Sequence, residues 1–181
     1  MEQCPRADDP IFRILAQFFE RKGMDNKYAG FELVSINTAL AERQLSAKIL
    51  LCNEETRKYG LSLTESQTCA LAKTRTTSLA DNKRIEFGSG IVDKLIMAVC
   101  DSPYITQEIY EDILHEMIGL FYELKNNTMD RISDNALIDF MKSAFNGCCH
   151  GSMELLIEKS MQLAKHIHCG GKIDTFSLKE E

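Results

Sequence analysis

The 181 residues carry 27 acidic and 21 basic side chains, a net charge of -6, with 44% hydrophobic and 27% charged residues. That is the composition of an ordinary globular domain. Its acidic excess argues against a nucleic-acid backbone or an anionic membrane surface as the main partner. The excess is uneven: residues 91–181 hold eight basic and fifteen acidic side chains, whereas residues 64–90 hold four basic and three acidic.

The most apolar N-terminal run, IFRILAQFF, is short, carries Arg13 and follows Asp8 and Asp9, unlike a signal peptide. No window reaches the roughly 20 apolar residues that a spanning helix needs. Seven cysteines is an odd number, and without a leader they are expected as reduced thiols in the cytoplasm.

Only three prolines occur, and this shortage of breakers favours helices. Asp9-Pro10 opens the first one, with Ile11, Phe12, Leu15, Phe18 and Phe19 on one stripe and Gly23 at its end. Asp25-Asn26 and Gly30 then read as a loop. Residues 31–45 fit a helix or a short strand, because periodicity over so short a run does not choose. A helix is expected over 46–58, with Ile49, Leu50 and Cys52 inward and Gly60 ending it. Thr64-Glu65-Ser66-Gln67 has the capping-box pattern and starts a helix to about Ala80. Ile85-Glu86-Phe87 reads as a brief extended link.

Residues 90–126 form the expected centre, a helical hairpin broken at Asp101-Ser102-Pro103-Tyr104. GIVDKLIMAVC is apolar on nearly every face, and a second helix follows with Thr106 as its cap. Advancing roughly 100° per residue, Ile109, Tyr110, Ile113, Met117, Leu120, Phe121 and Leu124 fall on one arc. His115 lies opposite that arc and Ile118 beyond its edge. Ser133 or Asp130 caps a helix from about Asp134 to Phe145, burying Leu137, Ile138, Phe140, Met141 and Phe145. Ser152 caps the last helix, whose expected inner face is Leu155, Leu156, Ile157, Met161, Leu163 and Ala164. Gly170-Gly171 ends it, and residues 171–181 form a polar tail. The expected architecture is one all-α domain over 1–170, a bundle of about six helices.

Two stretches, RIEFGSGIVDKLIMAVCDSPYI (Arg84–Ile105) and ELKNNTMDRISDNALIDFM (Glu123–Met141), resemble an uncharacterised bacterial protein family of unknown function. The likeness runs from about Leu61 to Leu156. It implies a bacterial cytosolic origin and carries over no site residues.

Several constellations bear on chemistry. Glu108, Glu111, Asp112, His115 and Glu116 have metal-ligand spacing. A bundle metal site must face inward and needs a second such helix, so the cluster reads as a solvated face. His115-Glu116 begins an HExxH-like string, but Gly119 stands where the second histidine is required. Cys148, Cys149 and His150 pair on paper with His166, His168 and Cys169, all zinc-type ligands. A helix from Ser152 to His168 would separate the two groups by roughly 24 Å, so one chain could join them only through a broken helix. Ser89 and Gly90 of the Gly88–Gly90 loop, with Arg84 shortly before it, make a candidate anion site at a helix start. Cys100 reads as a small buried hydrophobe, with no histidine near it in sequence.

The function that fits best is a non-catalytic cytosolic interaction or regulatory protein without cofactor. The alternative is a metal- or anion-binding enzyme using the Cys/His groups or the Gly88–Gly90 loop. Ile118 with Phe12, Phe18 and Phe19 further suggests a homodimer, which would bring the two Cys/His groups together across an antiparallel interface.

Overall fold

The computed structural model describes residues 29–86 and 90–177. Among them are six α-helices and no strand. They are α1 (Ala29–Thr56), α2 (Glu65–Asp81), α3 (Val92–Val99), α4 (Tyr110–Asn127), α5 (Asp134–Asn146) and α6 (Met153–His168). The expected all-α class holds. Chain contacts divide the molecule between Ala39 and Leu40, and the packing below belongs to the unit from Leu40 onward. The predicted helix at residues 10–23 lies outside the described residues.

Residues 31–45 resolve as helix, continuous with the segment expected over 46–58, and Gly30 lies inside it rather than in a loop. The inner face of α1 also differs from expectation. Leu45, Ile49, Asn53 and Thr56 are buried, while Leu50 is exposed and Cys52 half-buried. Buried polar groups need partners, and Asn53 finds them in Leu63, donating to its carbonyl at 2.8 Å and accepting from its N–H at 2.9 Å. A brief 3-10 turn follows α1 and closes at Gly60, whose φ of 77° is the left-handed geometry that glycine adopts freely.

The local signals for α2 work as read. Thr64 Oγ1 accepts from the Gln67 N–H, and the Gln67 side chain accepts from the Thr64 N–H. Ser133 caps α5 through the Ala136 N–H, and Ser152 caps α6 through the Leu155 N–H.

α4 is the hub, packed against α2, α3, α5 and α6. It runs parallel to α2: Gln67 meets Glu111 near the start of both, and Asn82 meets Asn126 at their ends. Its first turn begins at Tyr110, after Ile109, rather than at Thr106. α3 is less central than its composition suggests. Val92, Leu95, Ile96 and Val99 are buried, but Lys94 and Met97 face solvent.

Three side-chain assignments on α4 and α6 are corrected. Ile118 is fully buried, because α4 is covered on several sides and its apolar arc extends to that position. The argument for a homodimer through Ile118 therefore falls. His115 is half-buried rather than turned to water, since α2 lies beside it. On α6 the buried set is Met153, Leu156, Ser160, Leu163, Ala164 and Ile167, leaving Leu155, Ile157 and Met161 exposed. The polar tail is docked through Phe176: a 3-10 turn at Ile173–Thr175 sets the Phe176 ring edge-on to Phe140, centroids 5.9 Å apart.

Candidate functional site

The corner where α2 and α4 both end is the most constructed place in the described chain. After Asp81 the backbone turns through Lys83 at φ 53°, with the Arg84 N–H closing onto the Leu79 carbonyl at 2.8 Å. After Asn127 it turns through Met129 at φ 52° and Asp130 at φ 56°, with the Asp130 N–H closing onto the Lys125 carbonyl at 3.1 Å. Side chains other than glycine in the left-handed region cost about 1–2 kcal/mol each. Of the four such residues among those described, three sit here. Strained backbone of this kind persists only where the surroundings over-determine it.

Side chains supply that determination. Arg84 grips Asp130 with both ends of its guanidinium, at 2.7 and 3.1 Å, and also donates to Asn126 Oδ1 at 2.9 Å. Asn126 in turn donates to the Asn82 carbonyl and side-chain oxygen at 2.9 and 3.0 Å. The guanidinium holds the Asp130 carboxyl below the ordinary carboxylate range. Thr128, wholly buried, returns its hydroxyl to the Leu124 carbonyl at 2.9 Å.

Below the corner lies a second cluster. Arg75 is only 4% exposed, and its Nε and Nη2 donate to Glu86 Oε2 at 3.1 and 3.0 Å. The Tyr122 hydroxyl donates to the same oxygen. Burial, reinforced by that carboxylate, keeps the Tyr122 phenol protonated well above its usual range. Gly90, at φ 66°, packs directly on this pair: a Cβ there would meet the Glu86 carboxylate and Arg75 Nε.

Between two anchored residues the chain must present the third. Arg84 and Glu86 point inward, and alternation in an extended segment turns Ile85 outward, where it is 86% exposed. Met129, 49% exposed, stands on the neighbouring turn. Exposed Lys83 and Arg131 flank them, and Arg131 also donates to the Ile167 carbonyl at 3.3 Å.

Two of the three candidate anion-site residues are engaged within the protein. The Arg84 guanidinium is taken up by Asp130 and Asn126, and Gly90 packs on the Arg75–Glu86 ion pair. Ser89 lies outside the described residues. The cluster on α4 is also rearranged: Glu111 accepts from Gln67 at 2.7 Å, and His115 Nδ1 is 2.6 Å from Thr74 Oγ1. These two side chains thus join α2 to α4.

The Cys/His groups stay at opposite ends of α6, an unbroken helix from Met153 to His168. Cys148 and Cys149 touch, Sγ to Sγ, at 4.0 Å. Cys149 is fully buried, and that burial, with Cys148 beside it, pushes its thiol up to about 12. His150 packs edge-on to Tyr104, its Nδ1 3.4 Å from the phenol oxygen. His166 Nε2 lies 2.9 Å from Thr175 Oγ1 and 3.1 Å from the Lys172 carbonyl, against the Phe176 ring. His168 and Cys169 are exposed. Among the described residues no three His, Cys, Asp or Glu side chains converge as a metal site would require. Cys100 is buried, and burial raises its thiol.

Sequence reasoning missed the corner because its bonds join residues about forty positions apart. One local signal was available: Arg84-Ile85-Glu86 is a period-two pattern within a segment read as extended. The two stretches that carry the family resemblance meet here through Arg84 with Asp130, and again between α3 and α5 through Lys94 with Asn135. The model of a family described only as of unknown function (DUF6323) matches residues 48–173. No curated protein and no solved structure matches the chain.

Proposed function

The chain belongs to that family of unknown function, and within it we propose that this protein is a non-catalytic, cytoplasmic interaction module whose contact face is the corner around Ile85 and Met129. The observation that carries this reading is the exposure of Ile85, 86%, between two residues that are both tied down. A large apolar side chain held out on an anchored backbone loses little further freedom on binding, so its burial is retained as affinity. Arg75, Glu86, Arg84 and Asp130 are engaged with one another in holding the corner together, which suits a binding surface better than a catalytic one. Lys83 and Arg131 beside the apolar pair favour a partner protein whose apolar contact residue is bordered by carboxylates. Six free thiols among the described cysteines support the reduced cytoplasm as its compartment, and no helix among the described residues is long and apolar enough to cross a membrane.

The test compares the wild type with Ile85→Ser and Met129→Ser as baits, then measures each captured protein again in purified form. The expected result is binding weakened about tenfold or more by either substitution, with an unchanged unfolding midpoint and with Met161→Ser on α6 as a neutral control. Binding that survives both corner substitutions overturns the proposal. If light scattering shows a dimer that Ile85→Ser converts to monomer, the partner is a second copy.

A further inference from the structure

Cys148 and Cys149 occupy the turn that leaves α5, and its backbone is closed tightly around them. The Gly147 N–H donates to Ser143 O at 2.9 Å, the Cys149 N–H to Ala144 O at 3.0 Å and the Gly151 N–H to Phe145 O at 2.9 Å. His150 at φ 47° and Gly151 at φ 81° complete the reversal, with Gly151 lying on the Tyr104 ring. This turn holds the two sulfurs 4.0 Å apart. Two thiolates each bonded at about 2.3 Å to one soft centre lie roughly 3.8 Å apart at a tetrahedral angle and roughly 3.3–3.5 Å apart at the smaller angles of a pyramidal trivalent centre, within a small side-chain rotation of the observed separation. The reduced pair therefore already has nearly the bite of a chelate. Cys148 is half-buried and gives access, while Cys149 forms the floor.

The surroundings narrow what could bind. A structural zinc needs four protein ligands, and no third metal-binding side chain converges with the pair among the described residues. A centre that brings its other substituent with it needs only two.

We propose that Cys148 and Cys149 form a vicinal dithiol site that captures one thiophilic centre with two open positions, of which a monosubstituted trivalent arsenical is the simplest. The step balances without an oxidant. Both S–H bonds break, two As–S bonds form, and the arsenic-bound oxygen leaves as water with the two protons; arsenic remains trivalent. Thiolates are the attacking species, and the Cys149 thiol, held up near 12 by burial, does not start the reaction. Attack begins at Cys148. The arsenic it delivers then sits beside Cys149 and drives loss of the second proton, as a coordinated soft centre does.

Phenylarsine oxide added to the reduced full-length chain tests this by intact mass under native conditions. The expected adduct is one equivalent with loss of one water. It should resist excess monothiol and be released by a 1,2-dithiol. Cys148→Ser should weaken capture about 100-fold or more, since the second bond is then no longer intramolecular. Cys149→Ser tests the same point but changes a buried position, so the half-exposed Cys148 variant keeps the proposal open to disproof if that protein does not fold. Cys69→Ser and Cys169→Ser should change nothing. The proposal is overturned by no adduct on the wild type, by release with monothiol alone, by equal capture in Cys148→Ser, or by loss of capture in either control.

Discussion

The interface between α2 and α4 has two polar clusters, one running from its start to Thr74 and one from Arg75 towards its far end, and they are built differently. At its start, Gln67, Thr74, Glu111 and His115 make hydrogen bonds that water can reach, with the His115 side chain 29% exposed. At its far end, Arg75, Glu86 and Tyr122 share one carboxylate oxygen around an Arg75 side chain only 5% exposed. The residue types are similar, but the consequence of losing one is not. A solvated partner left behind is rehydrated, whereas a buried charge left behind keeps its full desolvation penalty. The far end is therefore where the fold depends on polar chemistry, and it is also the end beneath the exposed Ile85.

Breaking that end should have the largest effect. Glu86→Ala removes the shared acceptor, leaving the Tyr122 hydroxyl without it and the buried Arg75 charge with only the residue-86 backbone carbonyl at 3.4 Å, which should cost about 3–5 kcal/mol. Chemical denaturation measures it. A cost below that of the solvated end would show that the two ends do not differ as described.

The solvated end gives an intermediate effect. His115→Ala removes the contact with Thr74 at a half-buried site, and a loss of about 0.5–1.5 kcal/mol is expected from one net hydrogen bond. A loss as large as that of Glu86→Ala would mean that water does not replace the histidine. The comparison would then fail from the other side.

The smallest effect belongs to the rim of the corner. The Asp130 side chain is 55% exposed, so its bond to Arg84 contributes little at neutral pH. Its sign with pH is nevertheless fixed. The folded-state carboxyl is held below its ordinary value, so the stabilisation is present above the ordinary carboxylate range and is lost as pH falls through the depressed folded value. Wild type and Asp130→Asn should differ slightly in unfolding midpoint at neutral pH and converge in acid. A gap that widens on acidification would reverse the assignment.

Much of the secondary structure was legible because its signals are local. Thr64, Ser133 and Ser152 cap helices through bonds that span three residues, and Gly60 and Gly170 take left-handed geometry where helices stop. On the inner face of α5 every expected residue is buried, Leu137, Ile138, Phe140, Met141 and Phe145, with Ala144 added to them. α5 has one clear stripe against its neighbours, so pattern and packing agree. α6 was read half-correctly. Leu155, Ile157 and Met161 are as apolar as the residues it buries, and nothing local says which side meets α4 and α5.

Composition and periodicity by themselves determined the all-α class, most helix boundaries and the separation of the two Cys/His groups by a helix. Tertiary structure alone decided the rest. It covered Ile118, half-buried His115, occupied the Arg84 guanidinium and turned Ile85 outward. The physical reason is range. Caps and stripes are satisfied within a few residues of chain, but burial and ion pairing depend on what packs alongside. The partners that settle Arg75, Arg84 and Tyr122 come from segments that meet only after the helices have assembled.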